Sequence, residues 1–349
     1  MEDLKFKAQQ GDADAQFTLG QYYQNGDGVA QDLEQAAVWY RKAAEQGNLD
    51  AQFALGQCYD YGKGVDKDSE KAACLYQEAA EKGHSGAQSY LGLCYHFGTG
   101  VSKDIEKAIY WYRRSAEQGD AEGQLFLGEC YIDGDGVPED VDEGISLFLK
   151  SAEQGYTSAM TSLAGLYYDG YAGVEQDYNE AAVWYRKAAE LGDRGAMESL
   201  GQCYRNGYGV EQNYEEALAW YRKAANAGSN IAQFLLGKYY FFGDGAIQDL
   251  KESFMWFRKA AEAGFSLAQY NVGMFYENGF GVEQNYEEAL AWYRKADALG
   301  ETEATFAIAL CYGKGLGVPK DEEATLTWLR KAAENGHTEA QDILDKVNL

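Results

Sequence analysis

The sequence GVEQNYEEALAWYRKA indicates the fold, because it occurs twice without a difference, at residues 209–224 and again at residues 281–296. A catalytic site is rarely built twice in one chain, so the copied stretch indicates a structural building block. The copies lie 72 residues apart, which is two periods of a 36-residue repeat. The repeat therefore has to be defined before any single motif is interpreted.

The period is marked by a small residue that opens the pattern A-Q-x-x-L-G. Its spacing is 36 residues except for one interval of 37, where Tyr171 and Ala172 replace a single loop residue. We expect nine repeats over residues 12–339, a partial helix or cap at 1–11 and a C-terminal half-repeat at 340–349. The marker stands at Ala15, Ala51, Ala87, Gly123, Ala159, Ala196, Ala232, Ala268, Ala304 and Ala340.

Each repeat contains two helical patterns, helix A and helix B, separated by a glycine loop. In the repeat that starts at Ala51, Leu55, Gly56 and Tyr59 share one face of helix A, and the small Gly56 allows helix B to approach closely. Helix B begins after the capping residue Asp68 with acidic side chains, and a glycine stops it. The same cap is predicted at Asp32, Asp104, Asp140, Asp177, Asn213, Asp249, Asn285 and Asp321.

The whole unit resembles a known repeat family. The pattern A-x-x-x-L-G-x-x-Y-x-x-G-x-G-V-x-x-D-x-x-x-A-x-x-W-Y-x-K-A-A-x-x-G, read from Ala15 to Gly47, is similar to the Sel-one-like repeat (SLR), a relative of the tetratricopeptide repeat. The resemblance implies an all-α fold, a right-handed α/α superhelical solenoid that forms one domain over residues 1–349. It also implies a non-enzymatic adaptor or scaffold that holds proteins on the groove or edge of the superhelix.

Net charge and hydropathy limit the classes of partner that the chain can bind. Thirty basic and 56 acidic residues give a formal charge of −26, which repels nucleic acid and anionic membrane surfaces. The same charge would speed encounter with a basic protein, but it also keeps a long array in solution, and both explanations stay open. No stretch reaches the ~18 apolar residues of a membrane span. We expect a cytoplasmic monomer as given, or a periplasmic or secreted one if a signal was removed.

Residues with catalytic or metal-binding chemistry are not gathered in one place. The three histidines are scattered, with His84 and His337 at a turn position expected to lie on the surface. The acidic run at residues 132–144 lacks ligand positions of a calcium loop. We therefore expect no enzymatic activity, no cofactor and no metal. Five cysteines share a packing position and should be buried thiols, while Cys74 could meet only Cys58; the five are Cys58, Cys94, Cys130, Cys203 and Cys311.

A binding surface is expected where the copies differ on an exposed face. Slots two, six and nine after the opening alanine form a stripe on helix A, away from the alanine-leucine-tyrosine core, and many carry large apolar residues. In the last three repeats we expect this stripe to anchor a protein or peptide, with Lys238 at the rim. The predicted residues are Phe234, Lys238, Phe241, Tyr270, Met274, Phe306 and Leu310.

Two structural alternatives remain for this stripe. Curvature of the superhelix could bury part of it between adjacent A helices. Binding could instead use the loop edge, where large side chains are expected to be exposed at Tyr171, Tyr208, Phe280 and Leu316. Two functional alternatives also remain: an immunity or inhibitor protein that blocks one toxin or effector, and an exported SLR protein in host contact.

Overall fold

The structure is a computed structural model that describes residues 1–243 and 247–347. These residues form α-helices, turns and one short 3-10 helix at Tyr171–Gly173, without a strand. The all-α, helix-turn-helix prediction is confirmed. The helices are α1 (Glu2–Gln9), α2 (Ala13–Asn25), α3 (Leu33–Glu45), α4 (Leu49–Tyr61), α5 (Ser69–Glu81), α6 (Ser85–Phe97), α7 (Ile105–Glu117), α8 (Ala121–Asp133), α9 (Val141–Glu153), α10 (Thr157–Asp169), α11 (Tyr178–Glu190), α12 (Arg194–Asn206), α13 (Tyr214–Asn226), α14 (Asn230–Phe242), α15 (Leu250–Glu262), α16 (Ser266–Asn278), α17 (Tyr286–Ala298), α18 (Thr302–Lys314), α19 (Glu322–Glu334) and α20 (Thr338–Val347).

The chain divides into two compact units, an N-terminal unit at Met1–Asp177 and a C-terminal unit at Tyr178–Leu349. Within each unit, every helix packs against the next along the chain. The even-numbered helices are A helices and the odd-numbered ones from α3 onward are B helices. Residues 348–349 of the predicted half-repeat lie outside the described residues. One continuous solenoid domain over both units stays a prediction.

Most helix starts follow the predicted caps. The carboxylate of Asp68 accepts a hydrogen bond from the backbone nitrogen of Lys71 at 3.0 Å, which satisfies one free donor at the start of α5. Helix A ends at a glycine in the left-handed region, as at Gly62 with φ of 67°. The predicted cap is confirmed at Asp32, Asp104, Asp140, Asn213, Asp249, Asn285 and Asp321.

The contact between helix A and helix B depends on a glycine beneath an aromatic ring. A Cβ placed at Gly56 on α4 would lie 2.5 Å from Cε1 of Tyr76 on α5, and Tyr76 is fully buried. A side chain there would therefore force the helices apart. The same pairing recurs at Gly20–Tyr40, Gly92–Tyr112, Gly128–Phe148, Gly201–Tyr221, Gly237–Phe257 and Gly273–Tyr293.

A second glycine sets the contact between successive repeats. Gly64, in the loop before α5, has φ of 72°, and a Cβ there would collide with the carbonyl oxygen of Leu33 in the preceding B helix. Glycine is required both by this conformation and by the close approach. The loop is thereby held against its neighbouring repeat.

A buried glutamine joins helix A to the B helices on either side. Nε2 of Gln88 on α6 donates to the carbonyl oxygen of Ala80 at 3.0 Å, at the end of the preceding B helix. Its Oε1 accepts from Gln118 at the end of α7, at 2.7 Å. The amide is buried with both of its ends paired, as a buried polar group requires. The glutamine pair recurs at Gln16–Gln46 and Gln124–Gln154.

We predict that Gly56→Ala lowers the free energy of unfolding by about 1–3 kcal/mol, because the ring of Tyr76 has no room to move. Gly165→Ala, inside α10, is the matched control. A Cβ there would meet no described atom within 4 Å outside its own helix. Alanine should therefore raise the free energy of unfolding there by up to about 1 kcal/mol. Urea unfolding, monitored by circular dichroism, measures the free energy of unfolding of both variants. Changes of the same sign in the two variants would contradict the packing argument.

Candidate functional site

The seven residues predicted to bind a partner lie on three A helices of the C-terminal unit, α14, α16 and α18. Lys238 is exposed, and Phe306 is buried with 8% of its surface accessible. The other five are half-buried: Phe234, Phe241, Tyr270, Met274 and Leu310. All seven residues therefore lie on A helices, but their side chains differ in how much surface a partner could contact.

The slot-two aromatics fill the junction between repeats. The ring of Phe234 lies 5.5 Å from that of Phe257 on α15 and 5.2 Å from that of Phe265, which precedes α16. Phe306 stacks on His337 with 4.1 Å between ring centroids. These contacts agree with the alternative that part of the stripe is buried between neighbouring helices.

Two other predicted residues pack on the core beneath α14 and α16. The ring of Phe241 lies 5.5 Å from Phe275 and 5.8 Å from Phe280. Met274 packs against the same cluster. Replacing either residue would cost stability as well as contact area, so neither is a clean probe of binding.

A more exposed aromatic lies beside them, at Phe242 on the last turn of α14. It has 61% of its surface accessible, and it lines a cavity of about 100 Å³ together with Arg205, Leu235, Lys238 and Tyr239. Nζ of Lys238 lies 6.0 Å from the ring centroid of Phe234, at the limit of a cation–π contact. The stripe pattern does not include Phe242, because this residue follows slot nine and so belongs to none of slots two, six and nine.

The loop edge is less exposed than expected. Tyr171 is exposed at 54%, but Tyr208 is half-buried and stacks on Tyr178 with 4.7 Å between centroids. Phe280 and Leu316 are also half-buried. Exposure was therefore predicted wrongly for three of the four residues, because their rings and side chains fold back onto neighbouring repeats.

The histidines have structural partners. Nδ1 of His84 accepts from the backbone nitrogen of Ala87 at 2.9 Å and so caps α6; His337 caps α20 in the same way. Both are half-buried, which corrects the expected surface position. His96 lies 3.1 Å from a carboxylate oxygen of Asp135. Among the described residues, no group of three or more His, Cys, Asp or Glu side chains is placed to hold a metal.

The cysteines are free thiols, which excludes a Cys58–Cys74 disulfide. Five are buried as predicted, and Cys74 is exposed. Burial raises the pKa of Cys58 and Cys203 to about 11, and that of Cys94, Cys130 and Cys311 to about 12. They are therefore protonated and unreactive at neutral pH.

Comparison with known proteins supports the repeat and its period. The Sel1 repeat family model matches residues 13–48, 49–84, 85–120, 121–156, 157–193, 195–229, 230–265, 266–300 and 302–337. The comparison with curated proteins gave no match. None of the described helices has the length and apolar character needed to cross a membrane.

Two solved structures are similar over most of the chain. One is c5321, a protective antigen of uropathogenic Escherichia coli strains with an SLR fold, at 36% identity and a TM-score of 0.59, covering 99% of this chain and 82% of that one. The other is a Sel1 repeat protein from Oxalobacter formigenes, at 33% identity and a TM-score of 0.59, covering 87% of this chain and 88% of that one. Immunity protein Pa5087 from Pseudomonas aeruginosa, at 22% identity and a TM-score of 0.44 over 62% of this chain and 82% of that one, is too distant to bear on function.

We predict that iodoacetamide at pH 8 alkylates Cys74 in the folded protein and leaves the five buried cysteines unmodified, because they are inaccessible and remain thiols. All six should react after unfolding in guanidinium chloride. Mass spectrometry of peptides reads the sites. Rapid labelling of Cys94 or Cys130 in the folded protein would contradict their burial and their raised pKa.

Proposed function

Because the chain belongs to the Sel1 repeat family, whose members are generally protein-interaction scaffolds, we propose that it holds a protein or peptide on the A-helix face of its C-terminal unit. The proposed contact includes the seven sequence-predicted residues, with Lys238 at its rim. The five half-buried side chains among them form its floor, and Phe242 adds the accessible aromatic surface.

The observation that carries this proposal is an exposed aromatic ring beside a cavity with two cations. Phe242 reaches solvent at the end of α14, and Arg205 and Lys238 line the same cavity. Aromatic and arginine side chains are the residue types on which binding energy concentrates in protein interfaces. An exposed ring with cations beside it favours a polypeptide that offers an apolar side chain and a carboxylate.

Local charge and net charge act on different steps of binding. The overall charge of −26 would accelerate encounter with a basic protein. The two cations at the cavity would fix which part of that protein docks. A basic partner that presents an apolar segment with an acidic residue satisfies both.

We propose further that the protein is not an enzyme and needs no cofactor. Its histidines cap helices or pair with neighbouring carboxylates, and its buried thiols are held protonated by their raised pKa. Acid-base or nucleophilic catalysis needs such groups to be free and close together. Their present contacts support a scaffold.

We predict that Phe242→Ser weakens capture of the partner by about tenfold or more, while the midpoint of thermal unfolding changes little. Phe97→Ser is the matched control: Phe97 holds the same place on α6 and is 69% exposed. Affinity capture from a lysate of the source organism, compared among the intact chain and both variants, measures the effect. Equal loss in both variants, or loss in neither, would refute the placement.

The captured proteins also distinguish the remaining functions. An adaptor should retain more than one partner without suppressing the activity of any of them. An immunity protein should bind one target stoichiometrically and silence it on titration. The second result would replace the adaptor proposal, but the proposed binding surface would stay the same.

A further inference from the structure

One position of helix B holds all seven tryptophans of the chain. It falls 24 residues after the opening alanine, as in Ala15 and Trp39, or 25 in the one longer repeat. Two repeats carry leucine there instead, at Leu75 and Leu147. The tryptophans are Trp39, Trp111, Trp184, Trp220, Trp256, Trp292 and Trp328.

Each tryptophan lies beneath a cation three residues further along the helix. Nζ of Lys223 lies 3.7 Å from the ring centroid of Trp220, and Lys42 lies 4.1 Å from that of Trp39. In the repeat that contains Leu75, the third residue further on is Glu78. That repeat therefore lacks both the ring and the cation, and it has a carboxylate where the cation would be.

The missing ring leaves a cavity of about 490 Å³ between α3, α4 and α5. Leu55, Tyr59 and Leu75 line its apolar part, and the exposed Cys74 stands at its mouth. The same position at Leu147 also opens a cavity, of about 320 Å³. Both cavities follow from the exchange of tryptophan for leucine.

The Leu75 cavity also contains an unpaired buried acceptor. Gln52 lines it with 4% of its surface accessible, and its Oε1 has no hydrogen-bond partner among the described residues. The glutamine that would donate to it is replaced by Lys82. Gln233 and Gln269 lack the same partner, but their repeats carry Trp256 and Trp292 at the leucine position. The Nε2 group of Gln52 donates to Oε2 of Glu78 at 3.3 Å, so the amide is held by a carboxylate that lines the same cavity.

The rim of the Leu75 cavity favours a cation. Glu45, Glu70 and Glu78 contribute three carboxylates. The two cations of the rim already have partners: Arg41 donates to the hydroxyl of Tyr59 at 3.0 Å, and Lys71 pairs with Asp68 at 2.7 Å. A positively charged group that enters the cavity could therefore pair with carboxylates that no cation of the chain neutralises.

The Leu147 cavity is smaller, and two carboxylates line it, those of Glu117 and Glu143, where the Leu75 cavity has three. Oε1 of Gln124 accepts from Gln154 at 2.8 Å, so its acceptor is satisfied. Lys150 replaces the carboxylate that Glu78 supplies in the other repeat. Binding at one cavity but not at the other would therefore show that the polar side chains, and not open space alone, select the ligand.

We propose that the Leu75 cavity receives a tryptophan side chain of a partner polypeptide that carries a lysine or arginine three residues after it. The indole fills the space that seven repeats fill with their own ring. The cation of the partner meets Glu78 and the neighbouring carboxylates. This site lies on another face of the repeat and in the N-terminal unit, so it stands independently of the surface around Phe242.

The probe is a helical peptide with tryptophan and lysine three residues apart, titrated into the full chain by calorimetry. Saturable binding is expected, weakened on the order of tenfold or more when the peptide's tryptophan is changed to alanine. Changing its lysine to glutamate should weaken binding as well. N-acetyltryptophanamide should bind more weakly than the peptide; equal affinity would overturn the assignment to a polypeptide.

Leu75→Trp is the decisive variant, because it restores the tryptophan that seven repeats carry at this position. It should abolish binding of the peptide without lowering the midpoint of thermal unfolding. Leu147→Trp fills the other cavity and should leave binding unchanged. Equal binding by the intact chain and Leu75→Trp, or no binding by the intact chain up to about 1 mM peptide, which corresponds to only about 4 kcal/mol of affinity, would overturn the proposal.

A second measurement does not depend on how any variant folds. Cys74 stands at the mouth of the cavity, so bound peptide should slow its alkylation several-fold in the intact chain. An unchanged alkylation rate at a peptide concentration that saturates the calorimetric signal would place the peptide elsewhere and overturn the assignment.

Discussion

The close contact between a glycine of helix A and an aromatic ring of helix B, present in seven of the nine repeats, is the constraint on which their packing depends. The rings of Tyr40, Tyr76, Tyr112, Tyr221 and Tyr293 are among the largest fully buried side chains. Because each ring lies directly on the backbone of the facing helix, neither helix can rotate or slide without a collision. Loop length, helix length and the position of the caps are then fixed, and the chain can repeat the unit with little change.

Departures from the repeat are informative because this constraint occupies the repeated positions. In the last repeat Ala309 replaces the glycine and Leu329 replaces the ring, and both are buried in one cluster. This exchange preserves the packing. The exchange of tryptophan for Leu75 does not preserve it, since no neighbour grows to fill the space and a cavity remains. At an uncompensated change of this kind, a side chain of a partner can fill the cavity that the missing ring leaves.

Much of the fold could be predicted from the sequence, because its signals are local. The period, the Asp68-type caps and the burial of Cys94 all follow from residue type and spacing within one repeat. The burial of Phe306 and the partial burial of Tyr208 could not be predicted in this way, since they depend on rings supplied by neighbouring repeats and loops. The Leu75 cavity could have been predicted from the sequence, because leucine replaces the tryptophan that seven copies carry at that position. The unpaired oxygen of Gln52 required the structure.

A double-mutant cycle between Gly92 and Tyr112 tests the central packing constraint most directly. If the ring is what excludes a side chain at the glycine, Gly92→Ala should destabilise the intact chain by about 1–3 kcal/mol. The same change should be neutral or stabilising in the Tyr112→Leu background, as the natural pair of Ala309 and Leu329 suggests. Urea unfolding of the four proteins should give a coupling energy of about 1–3 kcal/mol between the two residues. Effects that add within about 0.5 kcal/mol would contradict it.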